Sequence, residues 1–197
     1  MALVTLASGS AARRVMLLNA GVPIEVAVSD LDETQYKTAA RTNHDSAEML
    51  ALSLATAKAL RVSATRSTIV IGADQVLECD GIWYEKPRNL EEARAHLQTL
   101  RRRTHRLATA VACACEGKLV WHHVESPSLT MRDLSDAFID DYIEAEGAPL
   151  LTTVGAYFFE GKGAQLFETV TGSHFTILGL PLLPLLGFLR QSGVLAS

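Results

Sequence analysis

An aspartate inside an apolar strand and two arginines at the start of a helix are the residues of this chain whose types demand a chemical explanation. Ile69-Val70-Ile71-Gly72-Ala73-Asp74-Gln75-Val76-Leu77 reads as a buried strand that carries Asp74 in it or at its end. Aspartate is depleted in strands and rarely buried without a partner. Gly72 and Ala73 just before it leave room for a ligand to approach the backbone. Near the start of the chain, Leu3 to Ala7 reads as a strand, Ser8-Gly9-Ser10 as a turn, and Ala11 to Leu18 as a helix with Ser10 as its N-cap. Arg13 and Arg14 then fall in or just past the first helical turn, where the dipole disfavours cations. A strand, a Gly/Ser turn and a helix N-terminus make an anion site. Two added guanidinium groups suit an anion of several charges, such as a polyphosphate. Two solvated arginines on an ordinary first helix are the alternative.

Other charged residues extend the set. Ile24 to Val28 reads as a second strand ending in Ser29-Asp30-Leu31-Asp32-Glu33, which is either a solvated loop or a cation site. Lys58 continues the apolar stripe of Leu50 and Leu54 at the i+4 interval. A lysine on such a line either snorkels to water or reaches a buried anion. Lys86 lies in the loop Glu85-Lys86-Pro87-Arg88-Asn89. Ligands of α/β sheets bind at strand ends, and Glu33 and Asp74 are both placed there by this reading. Cations for phosphate oxygens and one or two carboxylates for Mg²⁺ are the parts of metal-assisted phosphoanhydride hydrolysis. A carboxylate beside the metal can deprotonate the attacking water.

The elements that must position these groups alternate between strand and helix. Helices are expected over about 45–62, with Asp45 and Glu48 as a capping box; over 90–100, capped by Asn89 and Glu92; and over 136–146, capped by Ser135. A last helix is expected from Pro181, as first helical residue, to near Gly193. Asp80-Gly81 signals a hairpin. Strands are expected over about 106–115, 118–124 and 166–170. The segment 155–164 mixes glycines with Tyr157, Phe158 and Phe159, rings that suit either a nucleobase or a core.

The bulk numbers bound the partners. The 197 residues are 48% hydrophobic and 20% charged, with a net charge of −4, an ordinary globular balance that argues against a nucleic-acid binder. Cys79, Cys113 and Cys115 lack zinc-type spacing and are expected as reduced core residues. No signal-peptide pattern opens the chain, and the apolar run 177–189 is broken by Gly179, Pro181, Pro184 and Gly187. A cytoplasmic protein without a membrane span is expected. No composition break marks a domain boundary.

The motifs in their order resemble the Maf nucleotide pyrophosphatases. They are Ala7-Ser8-Gly9-Ser10 with Arg13-Arg14, Asp32-Glu33, Ala57-Lys58-Ala59, Gly72-Ala73-Asp74-Gln75-Val76, Lys86-Pro87, Gly155-Ala156-Tyr157 with Glu160-Gly161, and Leu178-Gly179-Leu180-Pro181. The resemblance spans nearly the whole chain. It implies an ITPase-like/Maf-like α/β fold over residues 1–197, a single domain of two lobes, with a long twisted mixed sheet flanked by helices and a cleft between the lobes. It implies hydrolysis of a nucleoside triphosphate to the monophosphate and pyrophosphate with Mg²⁺ or Mn²⁺. Residue by residue, it makes Asp74 the proton acceptor and Ser8, Ser10, Arg13 and Arg14 the phosphate loop. Glu33, Lys58 and Lys86 become charged groups of the site, Glu33 and Asp74 metal ligands, and Gln75 and Glu160 substrate contacts. The resemblance also allows a homodimer and carries an alternative role as a non-catalytic nucleotide-binding regulator of cell division. The family loop usually reads Ser-Pro-Arg-Arg-Lys or Ser-Pro-Trp-Arg-Arg, whereas this chain has Ser10-Ala11-Ala12-Arg13-Arg14. Gln75 leans toward the branch that resembles 7-methyl-GTP pyrophosphatases, and Ala12 leans away from it. A dTTP/UTP preference is therefore the alternative specificity.

Overall fold

The computed structural model describes residues 3–196. Its elements run in the order β1 (Val4–Leu6), α1 (Ala11–Asn19), β2 (Ile24–Val26), α2 (Glu33–Asn43), α3 (Ala47–Ser63), β3 (Val70–Cys79), β4 (Ile82–Tyr84), α4 (Leu90–Leu100), β5 (Thr104–Cys115), β6 (Lys118–Glu125), β7 (Ser128–Met131), α5 (Asp136–Glu146), β8 (Phe167–Thr171), α6 (His174–Ile177) and α7 (Leu182–Gln191). Three short 3-10 helices lie between α5 and β8. The eight strands form a mixed sheet of order β2-β1-β3-β5-β7-β8, with β4 on β3 and β6 on β5. No helix among the described residues is long and apolar enough to cross a membrane.

The chain divides into two compact units. The first comprises residues through Gln75, then Ala108–Glu125, and the chain from Ser173 onward; the second comprises Val76–Leu107 and Ser126–Gly172. Their boundaries fall inside β3 and β5, so no linker composition could announce them.

In the first unit β1 pairs in parallel with β2 and β3, and β5 pairs antiparallel with β6. Val4, Leu6, Leu17, Ile71, Val111, Leu185 and Leu189 are buried in one cluster built from the strands, α1 and α7. Each fully buried leucine contributes about 2 kcal/mol of apolar transfer free energy. Helix α3 buries Leu50, Leu54 and the stripe Ala51, Ala55, Ala59. It approaches β3 at Gly72, where a Cβ would stand 2.1 Å from the Ala55 carbonyl oxygen and 2.7 Å from the Ala59 nitrogen. The room at Gly72 expected for a ligand is therefore filled by helix α3.

Local chemistry corrects other expectations. Ser46, not Asp45, caps α3, accepting from the Met49 N–H at 3.2 Å. The second strand stops at Val26, and a loop over 27–32 carries Asp30 and ends in Asp32, the N-cap of helix α2, which accepts from the Thr34 N–H at 3.0 Å. Glu33 is thus the first residue of a helix and not the end of a strand. Pro181 is the N-cap of α7, one residue before the helix. Strand β7 had no counterpart in the sequence reading. Of the cysteines, Cys79 and Cys113 are buried and Cys115 is partly exposed.

In the second unit α4 packs against α5 and against the 3-10 helices that follow it. Leu97, Leu100, Leu107, Leu129, Met131, Leu134 and Ile139 are fully buried or nearly so. Tyr157 is buried there, 2.8 Å from His105 Nε2 and edge-on to Phe167, so the core reading of this ring holds. Burial pushes the His105 ring down to about 4.

The helix–strand contact at Gly72 gives a first test. Gly72→Ala is expected to cost about 3 kcal/mol or more, because overpacking against backbone atoms has no flexible neighbour to absorb it. Urea unfolding measures this; a loss below about 0.5 kcal/mol would show that α3 does not rest on the strand here.

Candidate active site

The first unit gathers most of the singled-out charges around Lys58. Asp74 lies in the middle of β3 and is buried. Lys58 is on α3, one turn after Leu54, and its Nζ reaches Asp74 Oδ1 at 2.5 Å and Glu33 Oε1 at 2.7 Å. The stripe therefore ends in an ammonium aimed at two carboxylates instead of water. Its side chain is 13% exposed, as is that of Asp74, against 37% for Glu33. Lys37, one turn along α2, stands 3.5 Å from Glu33 Oε2. Lys58 thus bridges the two carboxylates through Glu33 Oε1 and Asp74 Oδ1.

The electrostatics separate the two acids. Burial pushes the Asp74 carboxyl above the usual carboxylate range, against the opposing charges of Lys58 and Arg13. Burial also acts to raise Glu33, but the hydrogen bond and charge of Lys58, joined by Lys37, hold it below its ordinary value. Asp74 thus binds a proton more readily than an ordinary carboxylate does, and Glu33 less readily.

The Ser8–Arg14 segment has its own order. Ser10 caps α1, accepting from the Arg13 N–H at 3.4 Å. The Ser8 hydroxyl oxygen accepts from the Ser10 N–H at 3.3 Å and from Arg13 Nη1 at 3.1 Å. With two hydrogen bonds accepted, Ser8 keeps its O–H as a donor. The Arg13 side chain turns inward, donating from Nε to the Gly179 carbonyl at 2.7 Å and from Nη1 to the Ala73 carbonyl at 2.9 Å. Burial lowers its guanidinium from the ordinary value, opposed by Asp74 and Glu33. Arg14 is exposed.

Gln75 follows Asp74 and turns its side-chain amide nitrogen to Thr109 Oγ1 at 2.9 Å and to the Thr176 and Ile177 carbonyls at 3.0 and 3.2 Å. Thr109 and Thr176 are fully buried and were not singled out from the sequence. Their signal is faint, because a buried threonine is unremarkable until a polar partner is seen. Lys86 and Glu160 belong to the second unit, where both are exposed. Lys86 follows β4, and Glu160 precedes a 3-10 helix at Gly161–Leu166.

The donor set fits a hard divalent cation. Mg²⁺ takes one or two carboxylates and completes its shell with phosphate oxygens and water. Glu33 and Asp74 supply that number, held together by the same ammonium. No cluster of three or more His, Cys, Asp or Glu suited to a metal occurs among the described residues.

Named proteins are similar to this chain over nearly its whole length. The chain is 48% identical over 191 residues to the nucleoside triphosphate pyrophosphatase of Paramagnetospirillum magneticum, covering 96% of this chain and 98% of that one. It is 49% identical over 187 residues to the nucleoside triphosphate pyrophosphatase of Granulibacter bethesdensis, covering 94% and 95%. It is 44% identical over 193 residues to the 7-methyl-GTP pyrophosphatase of Mesorhizobium japonicum, covering 98% and 97%. The family model for Maf-like protein matches residues 3–192, and the chain belongs to that family.

Proposed function

We propose that the protein is a nucleoside triphosphate pyrophosphatase that cleaves the bond between the α- and β-phosphates. The observation that carries this reading is the Glu33–Lys58–Asp74 cluster in the same unit as the Ser8–Arg14 loop. A buried carboxylate with a raised proton affinity, a second carboxylate held ionised and a cation between them are the parts that water attack on phosphorus requires. The names of the relatives point to the same reaction.

In this mechanism the α1 N-terminus, with its arginines and the Ser8 and Ser10 hydroxyls, receives the polyphosphate. Asp74 accepts a proton from water as the water oxygen bonds to the α-phosphorus. The α–β bridging oxygen departs with pyrophosphate, and the nucleoside monophosphate remains. Lys58 moves its charge from the carboxylates toward the phosphate oxygens as negative charge builds there. Glu33 and Asp74 would hold Mg²⁺ or Mn²⁺, which polarises the phosphate oxygens and offsets their charge. The Maf motifs add Lys86, as a cation for the phosphates, and Glu160, as a substrate contact. The substrate is a standard or modified nucleotide. The similarity to a 7-methyl-GTP pyrophosphatase favours a methylated purine as one member of the test panel.

Asp74→Asn preserves shape while removing the proton acceptor. It is expected to lower pyrophosphate release by about 10³-fold with the fold retained. The assay is pyrophosphate release with Mg²⁺ or Mn²⁺ across 7-methyl-GTP, dTTP, UTP and CTP, with circular dichroism as the folding control. Near-wild-type turnover by the variant defeats the mechanism, and binding without hydrolysis across the panel favours a nucleotide-binding regulator. Chelation of the divalent ion should abolish release, and its re-addition should restore it.

The pH profile follows from the direction of the Asp74 shift. Activity needs the carboxylate, so kcat/KM rises with pH through its pKa. In the metal-free protein burial raises that carboxyl, and a bound divalent cation would lower it, so wild type and variant are compared at one metal concentration. Lys58→Gln removes a cation that holds the pKa down, so the limb should move to higher pH. An unmoved or lowered limb would assign the titration to another group.

A further inference from the structure

Arg13 and Arg14 are neighbours in sequence but have different surroundings. Consecutive helical residues point about 100° apart, so two adjacent arginines do not face one wall. The Nε–H of Arg13 goes to the Gly179 carbonyl, and its Nη1 to the Ala73 carbonyl and Ser8 Oγ. A guanidinium grips a phosphate bidentately through Nη2 paired with either Nε or Nη1. Both of those partners already donate inward, so no fork of Arg13 is free. Arg14 is exposed, and long helical side chains lean toward the helix N-terminus. That lean carries its charge toward the Ser8–Ser10 turn at the start of α1.

The inward bonds of Arg13 converge on the strand of the acid. Ala73 immediately precedes Asp74, and Gln75 immediately follows it. Arg13 links Ala73 to Gly179, while Gln75 links to Thr176 and Ile177. The residues on both sides of Asp74 are therefore tied to one short segment, 176–179. Gly179 has φ +103°, and a Cβ there would stand 3.4 Å from Arg13 Nε. The glycine gives the guanidinium its seat.

We propose that Arg13 is a positioning residue that, with Gln75, fixes the strand around Asp74 against the 176–179 segment, and that Arg14 is the arginine that meets the phosphates. This assignment rests on the pyrophosphatase reading above and divides a role that the sequence pattern gave to both residues.

The test compares Arg13→Lys, Arg14→Ala and Gly179→Ala, using inorganic tripolyphosphate binding by calorimetry and steady-state pyrophosphate release. Arg14→Ala is expected to weaken tripolyphosphate and raise KM by about 10-fold each, with kcat held within about 3-fold. Arg13→Lys keeps the charge but loses the fork. It should lower kcat by about 30-fold or more while tripolyphosphate affinity stays within about 3-fold. Gly179→Ala leaves both arginines in place and should reproduce the Arg13→Lys pattern. Thermal melts check that each variant is folded. Tripolyphosphate binding lost in Arg13→Lys but kept in Arg14→Ala overturns the division. Unchanged binding in Arg14→Ala, an exposed position that tolerates truncation, overturns it alone even if the other two variants do not fold. A wild-type protein that binds tripolyphosphate with the expected split but hydrolyses no nucleotide upholds the division and rejects the pyrophosphatase reading.

Discussion

One ammonium shared by two carboxylates in a largely dry place is the interaction on which this site depends. Removing Lys58 and Asp74 from water is costly, and attraction between the charges, Glu33 included, offsets that cost only at short range. Distances of 2.5 and 2.7 Å meet that condition. Everything around the cluster serves to maintain them. The alanine stripe of α3 and the missing side chain at Gly72 bring the helix backbone onto β3, and that approach sets how far Lys58 must reach. The Asp32 cap begins α2 at the residue that carries the second acid. The unequal burial of the two acids then divides their labour, since the deeper one binds a proton more readily.

Much of this was legible in the sequence because it violates a local rule. An aspartate within an apolar strand and a lysine on an apolar helical stripe each contradict their surroundings, and each contradiction marks a member of the cluster. Helix α2 left no such mark. Of its residues only Ala40 is buried, so its sequence has no apolar period to read, and its acids looked like a solvated loop. Strand β7 is four residues long, too short for an alternation to stand out. Gly72 was recognised as a point of close approach, but a glycine does not say what approaches. The inward turn of Arg13 was hidden for a different reason. Its acceptors at Ala73 and Gly179 are main-chain carbonyls, which every residue carries, so no side-chain type betrays the contact.

The second unit follows different physics. Its buried polar pair, His105 and Tyr157, sits among leucines and rings, and the histidine is held neutral by burial. Several of its charged residues pair at the surface, such as Arg94 with Asp140 and Arg103 with Asp80, and these pairs contribute little to stability. The first unit concentrates its ionic cost at one internal point, whereas the second distributes charge over solvent-facing helices and turns.

The bond from Arg13 to Gly179 spans 166 positions of the chain. During synthesis from the N-terminus, the arginine leaves the ribosome long before its carbonyl partner exists. Asp74, Lys58 and Glu33 are likewise all made before Gly179 and before the leucines of α7 that complete the same core. A nascent chain therefore holds the acids and the ammonium early, with the guanidinium still lacking its farthest anchor. The maturation of this centre is tied to translation reaching the 176–179 segment, so that a ribosome stalled before it carries the charged residues of the site without their final brace.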